Sequence, residues 1–196
     1  LTGGLVLDAT DTTRLDIDAG TAADLTVTAI TGTDAVATLE LTAQTSGQDL
    51  AVTSMADADG LTSLTVNADS GNVTVSGAIG SAAAANNAEA LATVSVTASN
   101  GGTATLTNVY GDETTNGISG DSTAADLAMT VTGTATGLAS TVALGSIDNT
   151  FGSIALTASG TGTVGSTALT ADDVTMTVNA ADGTHTLVTA TDDITI

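Results

Sequence analysis

Residues 64–75 read Leu64-Thr-Val-Asn-Ala68, then Asp69-Ser-Gly71, then Asn72-Val-Thr-Val75. Side chains on a strand alternate between faces, so the first five residues bury Leu64 and Val66, show Thr65 and Asn67 to water, and end on a small Ala. The Asp-Ser-Gly triplet tolerates positive φ and turns the chain, and Val73 and Val75 begin a second alternation. The opening module recurs as Leu15-Asp-Ile17-Asp-Ala19, Leu39-Glu-Leu41-Thr-Ala43, Val94-Ser-Val96-Thr-Ala98, Met129-Thr-Val131-Thr-Gly133, Ile154-Ala-Leu156-Thr-Ala158 and Met176-Thr-Val178-Asn-Ala180. The first residues of the seven modules lie 24, 25, 30, 35, 25 and 22 positions apart. Recurrence near 25 residues is what stacked coils produce, and the terminal Ala suits a tight corner between them. The expected fold is therefore all-β, a parallel β-solenoid with coils of about 25 residues. Asp69-Ser-Gly71, Asn100-Gly101 and Asp182-Gly183 are also hairpin signals, which keeps an antiparallel β-sandwich of repeated hairpins open as the alternative.

Composition agrees with a layered β interior. The 196 residues are 42% hydrophobic yet include one Tyr, one Phe and no Trp, so burial falls to Val, Leu, Ile and Ala. Small aliphatics suit thin spaces between closely spaced walls, and with no Pro the turns are left to Gly, Asn and Asp. A regular apolar alternation argues against disorder in spite of the acidic, Gly- and Thr-rich sequence. The expectation is a single repetitive domain over 1–196, part of a longer chain, with two insertions that break the period. One is Ala-rich, near 81–92; the other, near 108–126, carries Tyr110, Asp112, Glu113, Asp121 and Asp126 and reads as a surface excursion.

Charge narrows the partners. Twenty-two acids face one base, Arg14, for a formal net charge of −21. Nucleic acid and anionic membranes both require Lys and Arg, so neither is an expected partner. Catalysis is not expected either: His185 is the only imidazole, placed by its Thr184-His-Thr186 alternation at an outward strand position, and there is no Cys or Lys to act as nucleophile or base.

The acids themselves are the candidate site. In-register stacking sets Asp16 over Glu40 at roughly 4.8 Å, with Asp18 on the same outward face. Like charges at that spacing favour a bound cation, and hard oxygen ligands without imidazole or thiolate suit Ca²⁺. Asp57-Ala-Asp59-Gly60 is a second acid turn, although Leu61 to Asn67 do not continue it as a calcium hand. Asp112, Glu113 and the pair Asp172-Asp173 complete the candidate metal ligands. Thr-x-Thr triplets such as Thr130-Val-Thr132 and Thr175-Met-Thr177 are similar to the ladders of ice-binding solenoids. They fall at different positions of the modules, so no regular flat array is expected from them.

The modules from Leu64 to Val75 and from Val94 to Leu106, with their Thr, Ala, Gly and Asp bias and near absence of Lys and Cys, resemble bacterial surface-layer proteins of the Caulobacter type and related giant secreted adhesins. That resemblance implies a secreted, Ca²⁺-dependent β-solenoid at the cell surface that assembles with copies of itself and touches cell-surface polysaccharide. The Gly-Gly-x-Gly-x-Asp nonapeptide of secreted calcium-binding repeats is not matched, since Gly101-Gly102-Thr103-Ala104 lacks the later Gly and Asp. The expected function is thus a structural subunit of an extracellular layer or filament. The alternatives are the stalk or ligand-binding region of an adhesin and, third, an ice-binding solenoid.

Overall fold

The alternation of Val, Leu, Ile and Thr with small polar residues forms strands that hydrogen-bond to the next coil rather than to their chain neighbours. A computed structural model describes residues 2–7, 11–20, 23–55, 57–81, 90–110, 118–119, 129–137, 139–166, 169–178, 184–186 and 194–195. Its strands are β1 (Thr2–Val6), β2 (Arg14–Asp18), β3 (Leu25–Thr31), β4 (Thr38–Ala43), β5 (Asp49–Val52), β6 (Ser63–Asp69), β7 (Asn72–Ile79), β8 (Thr93–Ser99) and β9 (Thr103–Tyr110). They continue with β10 (Ile118–Ser119), β11 (Thr130–Ala135), β12 (Thr141–Leu144), β13 (Ile147–Ala158), β14 (Thr163–Ser166), β15 (Leu169–Val178), β16 (Thr184–Thr186) and β17 (Ile194–Thr195). The described residues contain no helix, and the named strands pair in parallel. The fold is a parallel β-solenoid, and the hairpin sandwich is excluded. Most of both expected insertions lies outside the described residues.

One ladder runs β2, β4, β6, β8, β11, β13, β15 and β17, and stacks Leu15, Leu39, Leu64, Val94, Val131, Ile154, Val174 and Ile194 in register. A second begins at β1 and β3 and continues through β5, β7, β9, β12, β14 and β16, with Leu25, Leu50, Val73, Ala104, Val142 and Val164 in one row. A shorter ladder follows each coil of the second: Ile30, Met55, Ile79, Val109, Ile118 and Ile147. These rows supply the core, in which Leu39, Leu41, Leu50, Leu64, Met55, Ile79 and Leu106 are buried. Deleting the outer carbons of such a Leu costs about 2–5 kcal/mol, because stacked coils collapse little around the hole.

Two modules sit two residues away from the expected alignment. Val131, not Met129, pairs with Val94, and Val174, not Met176, pairs with Ile154. A one-residue slip exchanges the two faces of a strand, but a two-residue slip preserves them, so the apolar pattern alone is blind to it. Packing decides. The Thr130 N–H reaches the Ala92 carbonyl at 2.9 Å, and Met129 just before it is buried, as are Val36, Leu61 and Leu91 just before the strands of the earlier coils. Ala135 then falls between Ala98 and Ala158 at the far corner. Gly133 is left in the core row between Val96 and Leu156, and the Leu156 and Leu144 side chains fill its space, 2.9 and 3.3 Å from where a Cβ would stand.

Two of the turns read as hairpin signals, at Ser70 and Asn100, are corners, and Asp182-Gly183 lies outside the described residues. Ser70 (φ 67°) and Asn100 (φ 50°) adopt the left-handed conformation that such sequences permit, and carry the chain from the first ladder to the second. At the next corner, a Cβ on Gly77 or Gly145 would run into the backbone carbonyl of Thr53 or Thr107, so only glycine fits between adjacent coils there.

Candidate functional site

The opening of the first ladder positions the leading acids. Asp16 pairs with Glu40, and Asp18 with Thr42, all on outward positions that alternate with Leu15, Ile17, Leu39 and Leu41. The stacking expected of Asp16 and Glu40 is therefore present, but the charge between them belongs to the protein. Arg14, two residues before Asp16 on the same face, donates from Nε to Asp16 Oδ2 at 2.9 Å and from Nη2 to Glu40 Oε2 at 2.7 Å. The hydrogen bond to Asp16 comes first, followed by the charges of Asp16 and Glu40, in holding the guanidinium more firmly protonated than usual. Sequence reasoning treated Arg14 only as a count in the charge balance. Its spacing of two from Asp16 was the signal that it shares that face.

Asp18 is also engaged within the protein. Its Oδ1 accepts the Gly20 N–H at 2.8 Å and its Oδ2 the Gln44 side-chain amide at 3.3 Å. The pattern extends along the edge of the second ladder. There Asp24 accepts the Asp49 N–H at 3.1 Å, Asp49 accepts the Asn72 side-chain amide at 2.8 Å, and Asn72 Oδ1 accepts the Thr103 N–H at 3.0 Å. Asp69 likewise takes the Ser99 hydroxyl at 3.0 Å and the Asn100 amide at 2.5 Å. Carboxylates on one coil are thus answered largely by donors of the next.

Asp57 and Asp59 lie on a separate turn, between Met55 and the buried Leu61, away from the Arg14 group. The Thr33 hydroxyl donates to the Asp57 carbonyl, and the Asp59 N–H lies 3.5 Å from Asp57 Oδ1. Burial raises the Asp57 pKa above its ordinary value; the Asp59 N–H opposes this, while the charges of Asp59 and Asp34 add to it. Asp112 and Glu113 lie outside the described residues. Asp172 and Asp173 are in β15, where Asp173 pairs with Ser153 in register. Among the described residues no three acids, histidines or cysteines form a group able to hold a metal ion. His185 pairs with Val164 in register on the second ladder.

The two-residue shifts have a consequence outside the core. They bring Thr130-Val-Thr132 over Thr93-Val-Ser95 and Thr175-Met-Thr177 over Ala155-Leu-Thr157, so Thr132 and Thr175 share one row and the two triplets are offset by one row. No family model, curated protein or solved structure matches the chain.

Proposed function

We propose that this chain is a structural segment of an extracellular surface layer or filament, whose work is to present a stiff β scaffold and join to copies of itself. The observation that carries this reading is the continuity of the parallel ladders, in which β4, β6, β8, β11 and β13 are each hydrogen-bonded to the coil before and the coil after. Such a stack is stiff along its length and adds units by repeating the same contact. Among the described residues β2 pairs with β4 alone, and beside it an open depression of about 520 Å³ is lined by Leu5, Leu15, Ile17 and Leu25. An unpaired strand edge next to apolar surface is a place where another strand adds. Divalent cations, Ca²⁺ in the first instance, enter this reading by screening a charge of −21 between copies rather than as a chelate inside the described coils.

Electron microscopy of the purified protein, with Ca²⁺ and with chelator, tests the reading. Ordered sheets or fibres that loosen on chelation are expected. Separate single particles under both conditions would overturn it, whereas order that survives chelation would remove the cation and leave the assembly.

A further inference from the structure

Beyond its acidic first coils, the first ladder carries a lattice of hydroxyls. The outward positions of β6, β8, β11 and β13 form three rows: Ser63, Thr93, Thr130 and Ser153; Thr65, Ser95, Thr132 and Ala155; Asn67, Thr97, Thr134 and Thr157. Ten of these twelve positions are Thr or Ser and none is charged; acids stand at the margins, where Asp69 follows Asn67 along β6 and Asp173 follows Ser153 in the first row. Thr175 and Thr177 of β15 continue the second and third rows.

We infer that this face binds ice, by holding water in a two-dimensional order that merges with a growing crystal. The rows repeat about every 4.8 Å across the strands and about every 6.6 Å along them, comparable to the oxygen spacings of hexagonal ice. Threonine has few χ1 states, so each hydroxyl and its neighbouring methyl are set in direction before water arrives. The side chains of these rows are half-buried by one another apart from Thr93, and the Thr132 hydroxyl leans toward the Val94 carbonyl at 3.4 Å, which limits their freedom further. A hydroxyl donates and accepts within a water network, while a carboxylate orients its own shell of water and breaks a regular one. The placing of charge therefore matters: Asp16, Asp18 and Glu40 occupy the second and third rows in the first coils and stop before β6, and Asp69 and Asp173 border the twelve positions without entering them.

Two other occupants fit less well. A sugar polymer is gripped through aromatic platforms, and aromatics make up 1% of this chain. A second copy would have to take this whole face of hydroxyls out of water and supply polar partners across the contact. The second ladder is a built-in comparison: Thr103, Thr141 and Thr163 make a single hydroxyl row, but beside it Thr105 is followed by Ala143 and Gly165, so no two-dimensional array forms there.

The test is microscopy of single ice crystals held in solutions of the folded protein, with the gap between melting and growth temperatures as the readout. The wild-type protein and Thr105→Tyr are expected to shape crystals and arrest growth, and Thr132→Tyr to lose most of that gap at unchanged circular dichroism. Thr97→Lys, which puts a charge into the lattice without bulk at its centre, repeats the test should Thr132→Tyr fail to fold. Unarrested growth with the folded wild-type protein would overturn the inference, as would full activity in a folded lattice variant or equal loss in Thr105→Tyr. Self-association through this face, seen as a dimer in sedimentation that Thr132→Tyr abolishes while growth goes unarrested, would overturn it too.

Discussion

In β2 and β4 the outward rows hold Arg14, Asp16, Asp18 and Glu40, whereas β8 and β11, farther along the same ladder, hold Thr93, Ser95, Thr97, Thr130, Thr132 and Thr134. Inside, the two regions match: Leu15 and Leu39 stack as Val94 and Val131 do. The solenoid is thus specified by its inner rows, and its outer rows are free to differ from coil to coil. Charge on the first coils is managed by local pairing with Arg14 and with amides of the next coil. In β8 and β11 this face carries no charge, and the acids nearest to it are Asp69 of β6 and Asp173 of β15.

The sharpest way to break this comparison is to attack the shared interior. Leu39→Ala in the acidic region and Leu156→Ala in the hydroxyl region should each cost about 2–5 kcal/mol. Urea denaturation followed by circular dichroism measures both, and a large loss at one site alone would show that the interiors differ after all. A smaller effect is expected at Arg14→Gln. Removing the one cation leaves Asp16 and Glu40 facing each other, so the melting temperature should fall, and added salt should recover much of the loss by screening. Thr130→Gln, in the same outward row several coils away, should move the melting temperature little at any salt concentration.

The smallest effect concerns Asp57. Its pKa is raised in the folded chain, so the folded state holds a proton that the unfolded state releases, and ionisation opposes folding. Stability should fall as pH rises from the ordinary carboxylate value of 3.8 through the raised one, and should not depend on this group below 3.8. Asp57→Asn should flatten that dependence and change stability near neutrality by no more than about 0.5 kcal/mol. A pH series of thermal melts on both proteins decides it, and parallel profiles would remove Asp57 as the cause.

Much of this was legible from residues alone, for identifiable reasons. Alternations such as Leu15-Asp-Ile17 and Leu64-Thr-Val66 specify which side chains go inside, and their recurrence points to stacked coils. Asp16 over Glu40 followed from that register. The alignment of the modules at Met129 and Met176 did not, because apolar residues also stand at Val131, Ala135 and Val174, and shifts of two are equivalent by alternation. Only three-dimensional contacts break the tie: Met129 filling a corner, and Leu156 and Leu144 filling the space at Gly133. Arg14 was visible but counted rather than placed, since its reach to Glu40 spans two coils.

Alternation by two carries a rule for how such a chain changes length. A pair of residues gained or lost within a strand re-threads the coil by one full pleat and leaves wet and dry sides as they were, as Met129 and Met176 illustrate. A single residue gained there would turn leucines toward solvent and threonines into the interior along the rest of that rung. Growth and trimming of this molecule are therefore expected to proceed in even steps along its strands, with odd ones absorbed at the bends.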